Sequence, residues 1–174
     1  MEYWDIYDSN KKRTGRTMER NDWNMAPGDY HLTVLGVITS PTGSFLITKR
    51  REDKEWAPGA WEVTGGGVKA GETSVQAVKR EAREETGLSM EGVLLEYMGD
   101  YRSDNPAEKN NYYVDIYHLT IDFSEKNVHL QKDETADFAV VDLGRIRALG
   151  NAGQFLHYER LLPVLERIHA GFSN

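Results

Sequence analysis

Residues 66–88, GGVKAGETSVQAVKREAREETGL, constrain this chain more than any other stretch, because a glycine turn runs directly into a glutamate-rich helix. Gly65, Gly66, Gly67 and Gly71 lack β-carbons, which permits positive φ and close approach of the backbone to a ligand. Thr73 with Gln76 three residues later fits a capping box. Val75, Val78 and Ala82 recur at helical spacing, and Gly87 stands where a helix stop belongs. Start, apolar face and end therefore agree.

At about 100° per residue, Glu81, Glu84 and Glu85 fall in one sector beside the apolar stripe. Like charges at i,i+3 and i,i+4 cost roughly 0.2–0.5 kcal/mol per pair, so stability alone gives no reason for the cluster. A divalent cation reverses that cost: Mg²⁺ takes oxygen ligands from one or two carboxylates plus substrate phosphates and water. The competing reading is a solvated charged face, the usual fate of runs such as REAREE.

Wider spacing decides between them. Gly66, five residues, Glu72, seven residues, then Arg80-Glu81-Ala82-x-Glu84-Glu85-x-Gly87-Leu88 resembles the Nudix box without a mismatch. Trp4-Asp5-Ile6-Tyr7-Asp8, Thr14-Gly15-Arg16, Gly28-Asp29-Tyr30-His31 and Pro58-Gly59-Ala60-Trp61-Glu62 are similar to the Nudix branch related to isopentenyl-diphosphate isomerase. The resemblance implies an α/β fold, an α/β/α sandwich with a mixed β-sheet between the box helix and the C-terminal helices. It also implies a hydrolase that splits a diphosphate linked to another group, using Mg²⁺ or Mn²⁺.

Length and composition set the frame for that reading. The 174 residues, 39% hydrophobic and 28% charged, suit a single domain, 1–174, with residues 1–29 as an N-terminal extension packed on it. No apolar run approaches the roughly 20 residues of a membrane span, and the acidic, aromatic start is unlike a signal peptide. A cytoplasmic location is expected, and the absence of cysteine fits a reducing compartment. The net charge of −7 argues against nucleic acid or an anionic membrane as partner. The expected partner is a small-molecule diphosphate; a homodimer stays open.

Along the chain, residues 1–29 read as a short strand or hairpin and then a loop, with the basic cluster Lys11-Lys12-Arg13, Arg16 and Arg20 expected mainly in solvent. Residues 30–38 and 45–48 suggest a hairpin across Pro41-Thr42-Gly43. Residues 61–64 form a short strand delivering the chain to the glycines. Residues 93–101 and 112–121 read as strands around the turn-rich loop 103–111, and residues 138–141 as a last strand. Helices are expected over 143–149 and about 155–168, with Pro163 kinking or breaking the second. The five histidines form no metal-spaced cluster and read as structural or exposed.

The resemblance assigns roles as follows. Glu81, Glu84, Glu85 and the Gly65 carbonyl would hold Mg²⁺. Arg80 would orient the glutamates, with Glu72 bracing it. Glu84, Glu85 or Glu134 would supply the base. Arg50 matches a diphosphate-contacting position, with Lys49 a weaker candidate; Trp56 and Tyr112 could face a base or sugar, while Trp61 is expected to pack. Allylic isomerisation uses a cysteine that this chain lacks, and a non-catalytic ligand sensor would have no need of the complete metal helix.

Overall fold

In the computed structural model, which describes residues 1–173, the sheet is organised on β3, His31–Thr39. Its residues alternate between two cores, as period-two geometry requires. Leu32, Val34 and Ile38 face α1, Ser74–Thr86, together with Val78 and Ala82. Leu35 and Val37 face the opposite way, toward Ile146 of α2, Leu143–Asn151, and Leu161 and Leu165 of α3, Tyr158–Gly171. The result is the expected α/β/α sandwich.

β4, Phe45–Arg50, pairs with β3 only at the hairpin end, Ile38 with Leu46 and Thr39 with Phe45. Beyond that point the two strands part, and residues 61–67 lie between them: β5, Trp61–Glu62, pairs with β4, and β6, Thr64–Gly67, with β3. That inserted segment brings the glycine turn to the middle of the sheet. On the other side of β3 runs β8, Tyr112–Thr120, the parallel neighbour, followed by β7, Leu94–Ser103, antiparallel at the edge. β9, Thr135–Val141, pairs with β4 along its length. The sheet is therefore mixed.

The helix signals hold at both ends of α1. The Thr73 side chain accepts from the Gln76 amide, Gln76 returns the bond to the Thr73 amide, and Gly87 closes the helix at φ 72°. One face residue differs: Val75 is exposed, and Ala77 takes the buried place expected of it beside Val78 and Ala82. Gly36 of β3 lies directly under α1, where a β-carbon would meet Val78 Cγ2 at 2.8 Å. Helix and sheet can approach because that β-carbon is missing.

Residues 1–29 begin with β1, Tyr3–Tyr7, paired antiparallel to β2, Arg13–Glu19. Trp4, Ile6 and Tyr7 are buried, and Trp4 stacks on His31 of β3 with centroids 3.8 Å apart and planes at 6°. The basic cluster stays mostly exposed, as expected, but most of its members have protein partners. Lys11 bridges Asp100 and Asp115, reaching the latter at 2.6 Å, Arg13 donates to the Glu72 carbonyl, and Arg16 is bidentate on Asp29. Composition cannot see these partners because they lie on distant strands and loops.

At the C-terminal end, α3 starts at Tyr158, three residues later than expected, since Phe155 makes a parallel bridge to Trp61. The helix runs unbroken through Pro163, which sits in its second turn where a missing amide costs a single backbone bond. Among the described residues, no helix is long and apolar enough to cross a membrane.

Candidate active site

β6 and α1 meet at the wall of a cavity of about 540 Å³. Gly65, Gly66, Glu81, Glu84 and Glu85 line that wall, and Arg50, Trp56, Glu62 and Glu134 complete the cavity from β4, β5 and the connecting loops. Glu81 is buried, and its carboxylate lies so close over Gly66 that any β-carbon there would strike it. The glycine is therefore needed for the approach of a carboxylate to the turn.

Arg80 binds the wall together. Its Nε and Nη2 meet the two Glu72 oxygens at 2.8 and 3.0 Å, Nη2 also donates to the Gly67 carbonyl at 3.1 Å, and Nη1 reaches Glu81 Oε1 at 2.7 Å and Glu84 at 3.4 Å. Expected Glu72–Arg80 bracing is thus observed, and Arg80 has its donors committed to protein. Such a network holds carboxylates in place rather than contacting substrate.

Glu85 accepts from Thr64 Oγ1 at 2.7 Å and from the Gly65 amide at 3.5 Å. Burial pushes its carboxyl well above the usual range, with nearby Glu62 and Glu81 adding to the effect and Thr64 opposing it. Glu62 behaves likewise: burial raises it to about 7, Arg50 pulls against that and Glu134 adds to it. Carboxylates that crowd one desolvated wall ask for a counter-charge. Among the described residues, however, no three acidic or histidine side chains stand close enough to share one ion. Glu81 is held through one oxygen by Arg80, and Glu85 by Thr64.

Arg50 donates from Nε to the Trp56 carbonyl at 3.1 Å, lies 5.2 Å from the Trp56 ring centre, and stands 3.8 Å from Glu62. Glu134 reaches the same cavity, paired with Lys54 at 2.6 Å. Lys49 does not line it. Neighbouring strand residues point to opposite faces, and Lys49 turns away from Arg50 to meet Glu52 at 3.6 Å. Tyr112 lines an adjoining chamber, and Trp61 packs on the α2 and α3 side.

Sequence reasoning gave no site role to Glu62, Lys69 or His157 and preferred solvent over phosphate contact for Arg20, yet all four line the carboxylate cavity. Glu62 lay inside the Pro58–Glu62 segment already singled out, so a carboxylate two residues before the glycine strand was the available signal. His157, at φ 58° ahead of α3, offered none.

A family model described as NUDIX domain matches residues 29–161. The chain belongs to the Nudix family of pyrophosphohydrolases. An uncharacterised Nudix hydrolase of Listeria monocytogenes is 33% identical over 159 residues, spanning 91% of this chain and 90% of its own. The nucleoside triphosphatase NudI of Escherichia coli is 30% identical over 113 residues, 63% of this chain and 80% of that one. In fold, a protein from Deinococcus radiodurans superposes with a TM-score of 0.74 over 97% of this chain and 99% of its own, at 20% identity. A MutT protein from Methanosarcina mazei follows at 0.63, covering 83% of this chain and 96% of its own, at 24% identity.

Proposed function

We propose that this Nudix enzyme hydrolyses, with Mg²⁺ or Mn²⁺, the diphosphate linkage of a nucleoside diphosphate-linked or related organic diphosphate. The observation that carries the reading is one cavity lined by three box-helix carboxylates, Glu81 lying directly over Gly66, and by Arg50. Its donors are hard oxygens, the kind Mg²⁺ takes. Glu81, Glu84, Glu85 and the Gly65 carbonyl would hold the ion once the carboxylates draw together from their present partners Arg80 and Thr64, Glu81 offering Oε2, since Arg80 occupies only Oε1. When bound, the ion supplies Lewis-acid neutralisation of the diphosphate oxygens.

The chain's own groups do the rest. Arg50 orients the diphosphate by charge-assisted hydrogen bonds. Glu85 is buried against other carboxylates and has the most to gain from a cation, which suits a ligand. Glu84 and Glu134, on the exposed side, are placed to take the proton from an attacking water. The water oxygen bonds to phosphorus, its proton passes to a carboxylate, and the bridging O–P bond breaks, its oxygen leaving with the other phosphoryl group. Arg80 acts only by positioning Glu81 and Glu84.

The test is product release from a panel of organic diphosphates in Mg²⁺, with Glu85→Gln as control. A folded Glu85→Gln variant is expected to lose about a hundredfold or more in turnover, on the scale of losing one positioned carboxylate. A folded, Mg²⁺-binding wild type that turns over no compound would end the hydrolase reading.

A further inference from the structure

The family match begins at residue 29, so the N-terminal hairpin lies outside it, yet that hairpin bonds directly to the turn of the box between Gly67 and Glu72. Part of the extension lines the cleft. Arg20 borders both the carboxylate cavity and the aromatic chamber that adjoins it, and Trp4 and Trp23 border the chamber. The row of bonds to the turn is a separate feature, away from the chamber's walls.

The turn closes on itself only in part. Lys69 donates its amide to Glu72 Oε2 at 3.0 Å, and Glu72 donates its own to the Lys69 carbonyl at 2.9 Å. The two amides at the tip, those of Ala70 and Gly71, find their acceptors in β1. Ala70 donates to the Tyr3 carbonyl at 2.8 Å, and Gly71, at φ 80°, to Asp5 Oδ2 at 2.8 Å. β2 adds Arg13, whose Nη2 donates to the Glu72 carbonyl at 2.9 Å and whose Nε reaches the Tyr7 hydroxyl at 3.3 Å. Lys69 meets Glu2 at 3.1 Å, and buried Trp4 stands over Gly67, where a β-carbon would come within 3.0 Å of its Nε1.

These contacts differ in what they can hold. An exposed ion pair such as Glu2–Lys69 contributes little. A backbone amide on a carboxylate is a charge-assisted bond of fixed direction, and here it restrains a glycine with backbone freedom to lose. Docking the hairpin needs only its buried face of Trp4, Ile6 and Tyr7. A carboxylate and a guanidinium aimed at neighbouring residues of one turn serve the turn instead. The effect travels a step further, because Glu72 grips Arg80 through both oxygens and Arg80 in turn grips Glu81 and Glu84. A turn free to shift would carry Glu72 with it, and the carboxylate wall would lose its anchor.

We propose that Asp5 and Arg13 are positioning residues for the box: they clamp Gly71 and Glu72 from the hairpin and thereby fix the Glu72–Arg80 brace and the carboxylates that the brace holds. Residues outside the family-matched region then set the site by position alone, touching neither substrate nor ion. This rests on the reading of the carboxylate cavity as a metal-dependent diphosphate site.

The experiment compares full-length variants by calorimetric Mn²⁺ binding, by hydrogen exchange of the Gly71 amide, and by steady-state kinetics on whichever diphosphate the substrate panel identifies. Asp5→Ala is expected to lower Mn²⁺ affinity and kcat by about tenfold each, the low end for loss of a group that orients a metal ligand. KM should stay within about twofold, and Gly71 should exchange faster. Asp5→Asn keeps an oxygen for the Gly71 amide and should stay close to wild type. Arg16→Ala breaks the hairpin's ion pair with Asp29, which does not touch the turn, and should leave all three readouts unchanged. Glu72→Ala with Asp5→Ala should be no worse than Glu72→Ala alone, since both act through one brace. Arg13→Gln removes the other half of the clamp from an exposed position and should shift affinity and kcat in the same direction, so the question stays answerable if Asp5→Ala does not fold. Unchanged Mn²⁺ affinity in Asp5→Ala and Arg13→Gln, an equal loss in Arg16→Ala, or additive losses with Glu72→Ala overturns the proposal. Weakened Mn²⁺ binding in Asp5→Ala beside a wild type that hydrolyses nothing sinks only the hydrolase reading; a working wild type indifferent to both clamp variants sinks only the clamp.

Discussion

At the scale of single residues, the site turns on how closely carboxylates can be brought to backbone and to one another. Gly66 admits Glu81 to the turn, so Gly66→Ala must push that carboxylate aside. Since the displaced group is the end of a flexible side chain, the fold should survive while turnover falls by about a hundredfold, on the scale of a lost catalytic carboxylate. Circular dichroism beside a rate assay checks this, and full activity in the variant would refute the cradle. Glu62 gives a pH prediction. Its folded carboxyl is raised to about 7 from an ordinary 4.5, so the folded chain holds a proton there that the unfolded chain has released. Glu62 therefore contributes stability below about pH 4.5 that is lost as pH rises to 7. In EDTA, Glu62→Gln should melt at higher temperature than wild type at pH 8 and show a flatter slope between pH 5 and 8; parallel slopes would contradict the assignment.

Elements set the next level, and here α1 is the part with the strictest requirements. Its capping box is reciprocal and its stop is a left-handed glycine, so both ends are fixed by local chemistry. Gly87 carries a second burden: a β-carbon there would meet the His129 carbonyl at 2.8 Å, in the loop that leads toward Glu134. Gly87→Ala combines a strained φ with a backbone clash and should cost more than the about 1 kcal/mol of an ordinary glycine cap loss. Urea unfolding measures it, and a cost under half that figure would show that the loop gives way freely. The parting of β3 and β4 is the other decisive element-scale event. It creates the space in which β6 presents its glycines to α1.

For the molecule as a whole, the N-terminal hairpin is held by the Trp4–His31 stack and by the bridge between Tyr7 and Tyr30. Burial lowers His31 to about 4, with the Asn110 hydrogen bond only partly opposing it. A histidine held neutral contributes stability that is present above its unfolded value near 6.5 and is lost as pH falls through 4. Tryptophan emission should accordingly report loosening of the hairpin between about pH 6 and 4, ahead of changes in far-ultraviolet dichroism. A single coincident transition would refute a separate hairpin event. Such loosening would open the aromatic chamber first, because Trp4, Arg20 and Trp23 belong to the same segment.

Local signals were enough for much that is contained in a few helical turns or a strand pair: the capped box helix, its three glutamates, the glycine turn and most strands were legible from spacing, while the Glu72–Arg80 brace came from the family resemblance. They repeat or pair within short sequence distance, where backbone geometry dictates which side chains meet. Other features had no local signature. Nothing in the sequence near Lys49 says that it faces away from Arg50, and nothing near Val75 says that Ala77 takes its buried place. Lys11 looked solvated because Asp100 and Asp115 are far along the chain. Glu62, Arg20 and His157 entered the cleft only through the inserted strand, the docked hairpin and the chain reversal before α3. The sequence by itself determined the chemistry on the box helix; tertiary packing decided what faces it, because a cavity wall is assembled from segments whose approach depends on long-range burial rather than on local periodicity.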